Sequence, residues 1–160
     1  MDSTVFEEGI SNFIKAAGVV KCFKNMRIGQ ISTRPNPFSS VMFNEGELLE
    51  MFGIQVEPIS LPELVNAMDG LIKKQDERLF LFAEETQKTM ICGDIEEASL
   101  IKMAALKYAM EDWATDLGLS AVAVQCWDAM QDMVGMVPCY INGLLTGEGL
   151  PVVCETDICG

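Results

Sequence analysis

Apolar residues follow two rhythms along this chain, and each change of rhythm marks an element. From Ser3 to Lys24, residues Val5, Phe6, Ile10, Phe13, Ile14 and Ala17 recur at spacings of three and four, which predicts an amphipathic helix over 3–24. Ser3 or Thr4 can cap it, with Glu7 placed for a capping box. Its apolar side is expected to lie on a sheet. Met26 to Ser32 then reads as a first strand. Thr33 to Ser40 holds Pro35 and Pro37, which oppose helix and ladder alike, so a shaped loop is expected there. Asn44 is placed to cap a helix over 45–52 that closes at Gly53. Ile54 to Ser60 is a second strand, and the spacing is that of a short right-handed βαβ unit.

The second half repeats the alternation with longer helices. Pro62 suits the first turn of a helix over 61–74. Lys73 to Arg78 is a run of charge and reads as a solvated helix face. The pattern stays helical from Leu79 to Thr89, breaks at Ile91–Asp94, and resumes in a long helix over 95–117 that Gly118 ends. Leu119 to Trp127 is apolar on both faces, as a central parallel strand requires. Asp128 and Gly135 lie in an expected loop, and Pro138 can open a helix over 139–145. Leu150 to Asp157 is the last strand. This order predicts an α/β fold: a three-layer, Rossmann-like domain over 25–160 with a mostly parallel sheet of about four strands, preceded by a lead-in helix over 1–24.

Composition narrows the function. The chain has 160 residues, 49% of them hydrophobic, enough for a real core. With 11 Lys and Arg against 24 Asp and Glu, the formal net charge is −13. No basic stripe exists to follow a phosphate backbone or an anionic bilayer, so no nucleic acid and no membrane are expected as partners. No run approaches a membrane span, and acids precede any apolar run at the start, unlike a secretory leader. The six cysteines form no C-x-x-C pair and several sit in apolar runs, which fits a reducing, cytoplasmic setting. There is no histidine, so Ser–His and Cys–His chemistry within this chain is excluded and carboxylates would carry any catalysis.

In a parallel α/β sheet, ligands bind beyond the carboxyl ends of the strands. One such end offers Gln125-Cys126-Trp127 and another Cys154-Glu155-Thr156-Asp157. An amide and an indole suit a sugar, with hydroxyls edge-on and a C–H face against the ring. Carboxylate oxygens suit Mg²⁺ or Mn²⁺ and can take a proton from carbon beside a carbonyl. Arg34, in the proline loop, could meet an acidic or polyhydroxyl ligand. Plainer readings stand beside these: an ordinary βα connection for the loop, and capping or salt bridging for Glu155 and Asp157.

The succession Gln125-Cys126-Trp127, Gly135-x-x-Pro138-Cys139 and Pro151-Val152-Val153-Cys154-Glu155-Thr156-Asp157-x-x-Gly160 resembles the L-fucose isomerase and fucose isomerase-like family. Arg27-Ile28-Gly29-Gln30 with Pro35 and Phe38, Asn44-Glu45 and Phe52-Gly53-Ile54 extend the likeness over most of 25–160, as a middle α/β domain. The resemblance implies an aldose–ketose isomerase that uses Mn²⁺ and works through an enediol, with a monosaccharide as substrate. It implies Glu155 as metal ligand and proton shuttle, Asp157 as a supporting acid beside it, and Gln125, Trp127 and the Thr33–Phe38 loop facing the sugar.

The family completes its metal site with an aspartate and a histidine from a further domain, and this chain has no histidine. The expectation is therefore a piece of a larger, homo-oligomeric enzyme, partnered by that enzyme's remaining domains, inactive alone and weak in Mn²⁺ binding. One alternative is a non-catalytic carbohydrate-binding or assembly domain of the same fold. Another is a thiolate module built on Cys126, Cys139, Cys154 and Cys159, which the spacing does not support.

Overall fold

The computed structural model describes residues 3–90, 93 and 95–160. Four parallel strands form one sheet in the order β2-β1-β3-β4: β1 Arg27–Ile31, β2 Gln55–Ile59, β3 Ala121–Val124 and β4 Val152–Cys154. The helices are α1 Thr4–Phe23, α2 Glu45–Phe52, α3 Leu61–Lys73, α4 Glu77–Thr89, α5 Glu97–Leu117, α6 Ala129–Val134 and α7 Cys139–Gly147. The α/β expectation holds. Among the described residues, no helix is long and apolar enough to cross a membrane.

Strand β3 lies at the centre, and Val122, Ala123 and Val124 are fully buried, as its two-sided apolar run requires. The larger core joins Ile31, Val122 and Val124 to Leu64, Leu106, Met110, Ile141 and Leu145 of α3, α5 and α7. The middle of helix α5, from Ala104 to Met110, is buried nearly all round, and Ala104, Ala105, Ala109 and Ala114 let α3 and α4 approach it closely. Gly29 is required there: a Cβ would stand 2.6 Å from the ring of Trp113, which closes that face. The smaller core lies on the other face, where Phe43, Leu48 and Phe52 around α2 meet Ile28, Ile54, Val56, Ala123 and Ile158. Caps behave as the side chains dictate. Asn44 accepts from the Glu47 amide at 3.1 Å, Ser60 and Glu63 form a capping box, and Gly53 and Gly118 close α2 and α5 in the left-handed region.

The structure departs from the sequence pattern in four places. Helix α1 buries none of its residues; Phe23 meets Phe52 edge-on at 5.4 Å. Periodicity shows that a helix has an apolar side, not what that side touches. Nor does Ser3 make a side-chain cap. The Lys73–Arg78 run is mostly solvent-facing, as expected, but spans the turn between α3 and α4 rather than one helix face. Gln75 adopts φ 51°, Asp76 caps α4, and the Arg78 guanidinium binds Asp76 and Asp112 while lying over the ring of Tyr108. The expected loop after β3 contains helix α6, whose Met130 and Val134 are buried. Strand β4 stops at Cys154, and the acids occupy a turn. Of the break expected at Ile91–Asp94, Ile91, Cys92 and Asp94 lie outside the described residues.

Candidate active site

The order β2-β1-β3-β4 makes the chain leave β1 toward β2 and return past it to β3, so the winding across the parallel sheet reverses between β1 and β3. A crevice is expected at the carboxyl edge of such a switch point. Three chain segments meet there. Ser32 follows β1, Gln125 and Cys126 follow β3, and Glu155 follows β4. Their backbones are stitched across the sheet: Gln125 N–H donates to Ile31 O at 3.0 Å, and Thr156 N–H to Val124 O at 3.2 Å.

Glu155 sits in a strained turn. It and Thr156 adopt φ of 60° and 55°, in the left-handed region that non-glycine residues seldom enter. Two such residues in succession cost of order 1–3 kcal/mol each and persist only where the surroundings hold them. Here Asp157 N–H donates to Cys154 O at 3.2 Å, and the buried Thr156 hydroxyl donates to Glu155 O at 2.7 Å. The carboxylate accepts the Cys126 thiol at Oε1, 2.9 Å away, while Oε2 is buried without a protein partner. A carboxylate oxygen out of water with no donor is costly unless a ligand supplies one. Cys126 is buried, and burial, the hydrogen bond to Glu155 and the neighbouring Cys154 push its thiol up to about 12. It stays protonated and serves as a donor.

Gln125 is oriented from its other side. Ser32, itself at φ 68°, donates its hydroxyl to Gln125 Oε1 at 2.6 Å, which leaves the amide N–H donors for a ligand. Gln30 Nε2 donates to Ser32 O at 2.8 Å and fixes that turn. Beside it, Gln30, Ser32, Thr33, Ser60 and Met133 line a cleft of about 440 Å³ at the carboxyl edge of β1 and β2. Trp127 is 47% exposed and meets Phe38 of the proline loop edge-on at 5.3 Å. That loop and the β3 exit therefore share one wall, with an open indole face.

The sequence-predicted residues thus divide. The strand ends gather Glu155, Gln125 and Trp127 on one edge of the sheet. Arg34 uses Nη1 on the carbonyls of Pro35 and Asn36, both at 3.1 Å, so its guanidinium braces its own loop. Asp157 lines a separate apolar groove of about 320 Å³ with Ile28, Val153 and Ile158. Among the described residues, no three His, Cys, Asp or Glu side chains converge to hold a metal ion. Ser32 and the donor role of Cys126 were missed from the sequence. Ser32 gives no signal there, because its importance rests on a backbone angle. Cys126 lies inside the Gln125–Trp127 trio, but its partner is 29 residues away.

No family model matches the chain. It is 26% identical over 159 residues to a sulfoquinovose isomerase of Alkalicoccus urumqiensis, covering 99% of this chain and 35% of that protein. It is 24% identical over 159 residues to the sulfoquinovose isomerase of Priestia megaterium, with the same coverage. To that of Clostridium sp. strain MSTE9 it is 22% identical over 165 residues, covering 33% of that protein. The chain spans about a third of the length of the curated relatives it matches. These matches support the sugar isomerase part of the resemblance and do not single out L-fucose isomerase. Over nearly its whole length, then, this chain is similar to a segment of enzymes named as sugar isomerases.

Proposed function

We propose that this chain is the α/β domain of a sugar aldose–ketose isomerase and that Glu155 carries the proton. The observation that supports this best is the buried, unpartnered Oε2 of Glu155 on a strained turn at the carboxyl edge of the sheet. A base placed there can take the proton from C2 of an open-chain aldose while the C1 carbonyl oxygen gains one, giving an enediol. Returning a proton to C1 as the C2 hydroxyl loses its own completes the ketose. Gln125 would donate to a sugar oxygen and Trp127 would lie against a C–H face. Arg34 shapes the loop that carries Phe38. Asp157, on the apolar groove, would act on Glu155 only through the turn they share.

The names of the relatives make a sulfonated hexose the first substrate to try, with L-fucose and other aldoses beside it. A carboxylate is a hard ligand that fits Mn²⁺, for which Glu155 would be one ligand, with Oε2 kept for the proton, and other parts of the enzyme would supply the rest. Such an ion would polarise the sugar oxygens and so acidify the C2 proton. The parent enzyme would join further domains, assemble as a homo-oligomer and work in the cytoplasm. The test is to assay the whole gene product against this sugar panel after EDTA, with and without Mn²⁺, alongside Glu155→Gln. Ketose formation that needs Mn²⁺ and is lost in the variant supports the proposal. No turnover of any sugar by a folded protein leaves a binding or assembly domain.

A further inference from the structure

We propose that Cys126 is a positioning residue for the reaction, its thiol fixing one oxygen of Glu155 so that the other faces the substrate. The inference rests on the proposed isomerase role of Glu155.

The two oxygens of this carboxylate are unlike. Oε1 lies 2.9 Å from Cys126 Sγ, and Oε2 is buried with no protein partner. A carboxylate offers only acceptors, so the thiol must be the donor. Cys126 is 7% exposed and therefore shielded from competing water. Its own place is set by the sheet: it follows Gln125, whose amide is tied to Ile31 O, and its carbonyl accepts from Gln131 Nε2 at 3.5 Å. Glu155 is thus held by its backbone in a strained turn and by its side chain on a neighbouring strand end.

That double fixing suits a group that must reach two adjacent carbons of a sugar in turn. A carboxylate free to spin about its last torsion would present either oxygen, and a misplacement of about 1 Å can cost roughly 10²-fold in rate. A thiol is a weak donor. It fixes direction yet withdraws little charge from a group that has to accept a proton. A lysine or arginine in its place would hold the carboxylate more tightly and blunt it as a base.

The experiment has two arms. In this chain, the S–H stretch of Cys126 is read by infrared difference spectroscopy against Cys126→Ala. A band displaced from that of a free thiol, returning toward it in Glu155→Gln, supports the contact; a free-thiol band in the unsubstituted chain overturns it. In the whole gene product, Cys126→Ala and Cys126→Ser are assayed on whichever sugar of the panel is turned over. Positioning predicts a kcat loss of about 10-fold to 10²-fold in Cys126→Ala, with KM within about twofold, and partial recovery in Cys126→Ser. Unchanged kcat in Cys126→Ala, with Glu155→Gln inactive, overturns the inference and leaves Glu155 in its role. A kcat loss that tracks a loss of folded protein and is not recovered by serine also overturns it. Turnover that survives Glu155→Gln overturns the role of Glu155 and this inference with it.

Discussion

The two ends of the sheet are built on opposite terms. At the amino-terminal end the charges are paired. The Arg27 Nη2 meets Glu57 Oε1 at 2.7 Å across β1 and β2, and Nη1 donates to the carbonyl of Leu117 where α5 runs into β3. Near that end, Arg78 binds both Asp76 and Asp112. At the carboxyl end the polar groups are instead half satisfied. Glu155 keeps one bare buried oxygen, Gln125 keeps its donors, and Ser32, Glu155 and Thr156 take positive φ. The first end spends its polar groups on the fold. Both ends hold residues at positive φ, Asn25 and Gln75 near the first and Ser32, Glu155 and Thr156 at the second, but the second also leaves donors and acceptors unmet, which suits a place that takes a ligand.

If this contrast is right, substitutions should separate into those that move activity and those that move stability. The largest effect is expected for Glu155→Gln, an isosteric change at the carboxyl end. It should lower kcat of the whole gene product by about 10²-fold to 10⁴-fold and leave the denaturation midpoint nearly unchanged. A large loss of stability with activity retained would make Glu155 a fold residue and erase the contrast. Gly29→Val should do the reverse. Its Cβ would fall 2.6 Å from the Trp113 ring, so a loss of about 1–3 kcal/mol is expected in urea unfolding. An unchanged midpoint would mean that Trp113 moves aside freely.

Smaller effects sharpen the amino-terminal side. The side chains of Arg27 and Glu57 are 37% and 26% exposed, so water and salt screen the pair. Glu57→Gln should cost about 1 kcal/mol or less, shrinking further in 1 M salt, with kcat unaffected. The smallest effect concerns acid. The hydrogen bonds from Arg78, side chain first and backbone second, hold the half-buried Asp76 carboxyl below its ordinary value of 3.8. A depressed carboxylate adds stability that is present above pH 3.8 and lost as pH falls through the lower folded value. Asp76→Asn should therefore flatten the acid limb of thermal stability slightly, by lowering the neutral range a little while stability well below pH 3.8 stays almost unmoved. A steeper acid limb in the variant would reverse the sign.

Lys107 shows that burial alone does not mark a site. It is 5% exposed, and its burial would pull the ammonium down, yet hydrogen bonds and attraction from Glu148 and Glu111 raise it overall. Its Nζ lies 2.8 Å from Glu148, 3.3 Å from Glu111 and over the ring of Tyr108. The charge is answered on each side. Glu155 differs because one of its oxygens is not.

The sequence by itself determined the strands, most helices and the α/β class, because these are local. Apolar runs of β-branched residues make buried strands, and Asn44, Ser60, Gly53 and Gly118 stop helices through their own backbone chemistry. It also put Gln125, Trp127 and Glu155 at strand ends, since a parallel sheet fixes which end is which. Tertiary structure alone decided the rest. The solvated placement of α1, the turn at Gln75 and helix α6 depend on what each apolar side meets, which periodicity does not encode. The thiol on Oε1, the bare Oε2 and the serine behind Gln125 arise from strand register, across separations of 29 and 93 residues. Hydrogen bonds need atoms within about 3 Å, and only the folded sheet brings those ends that close.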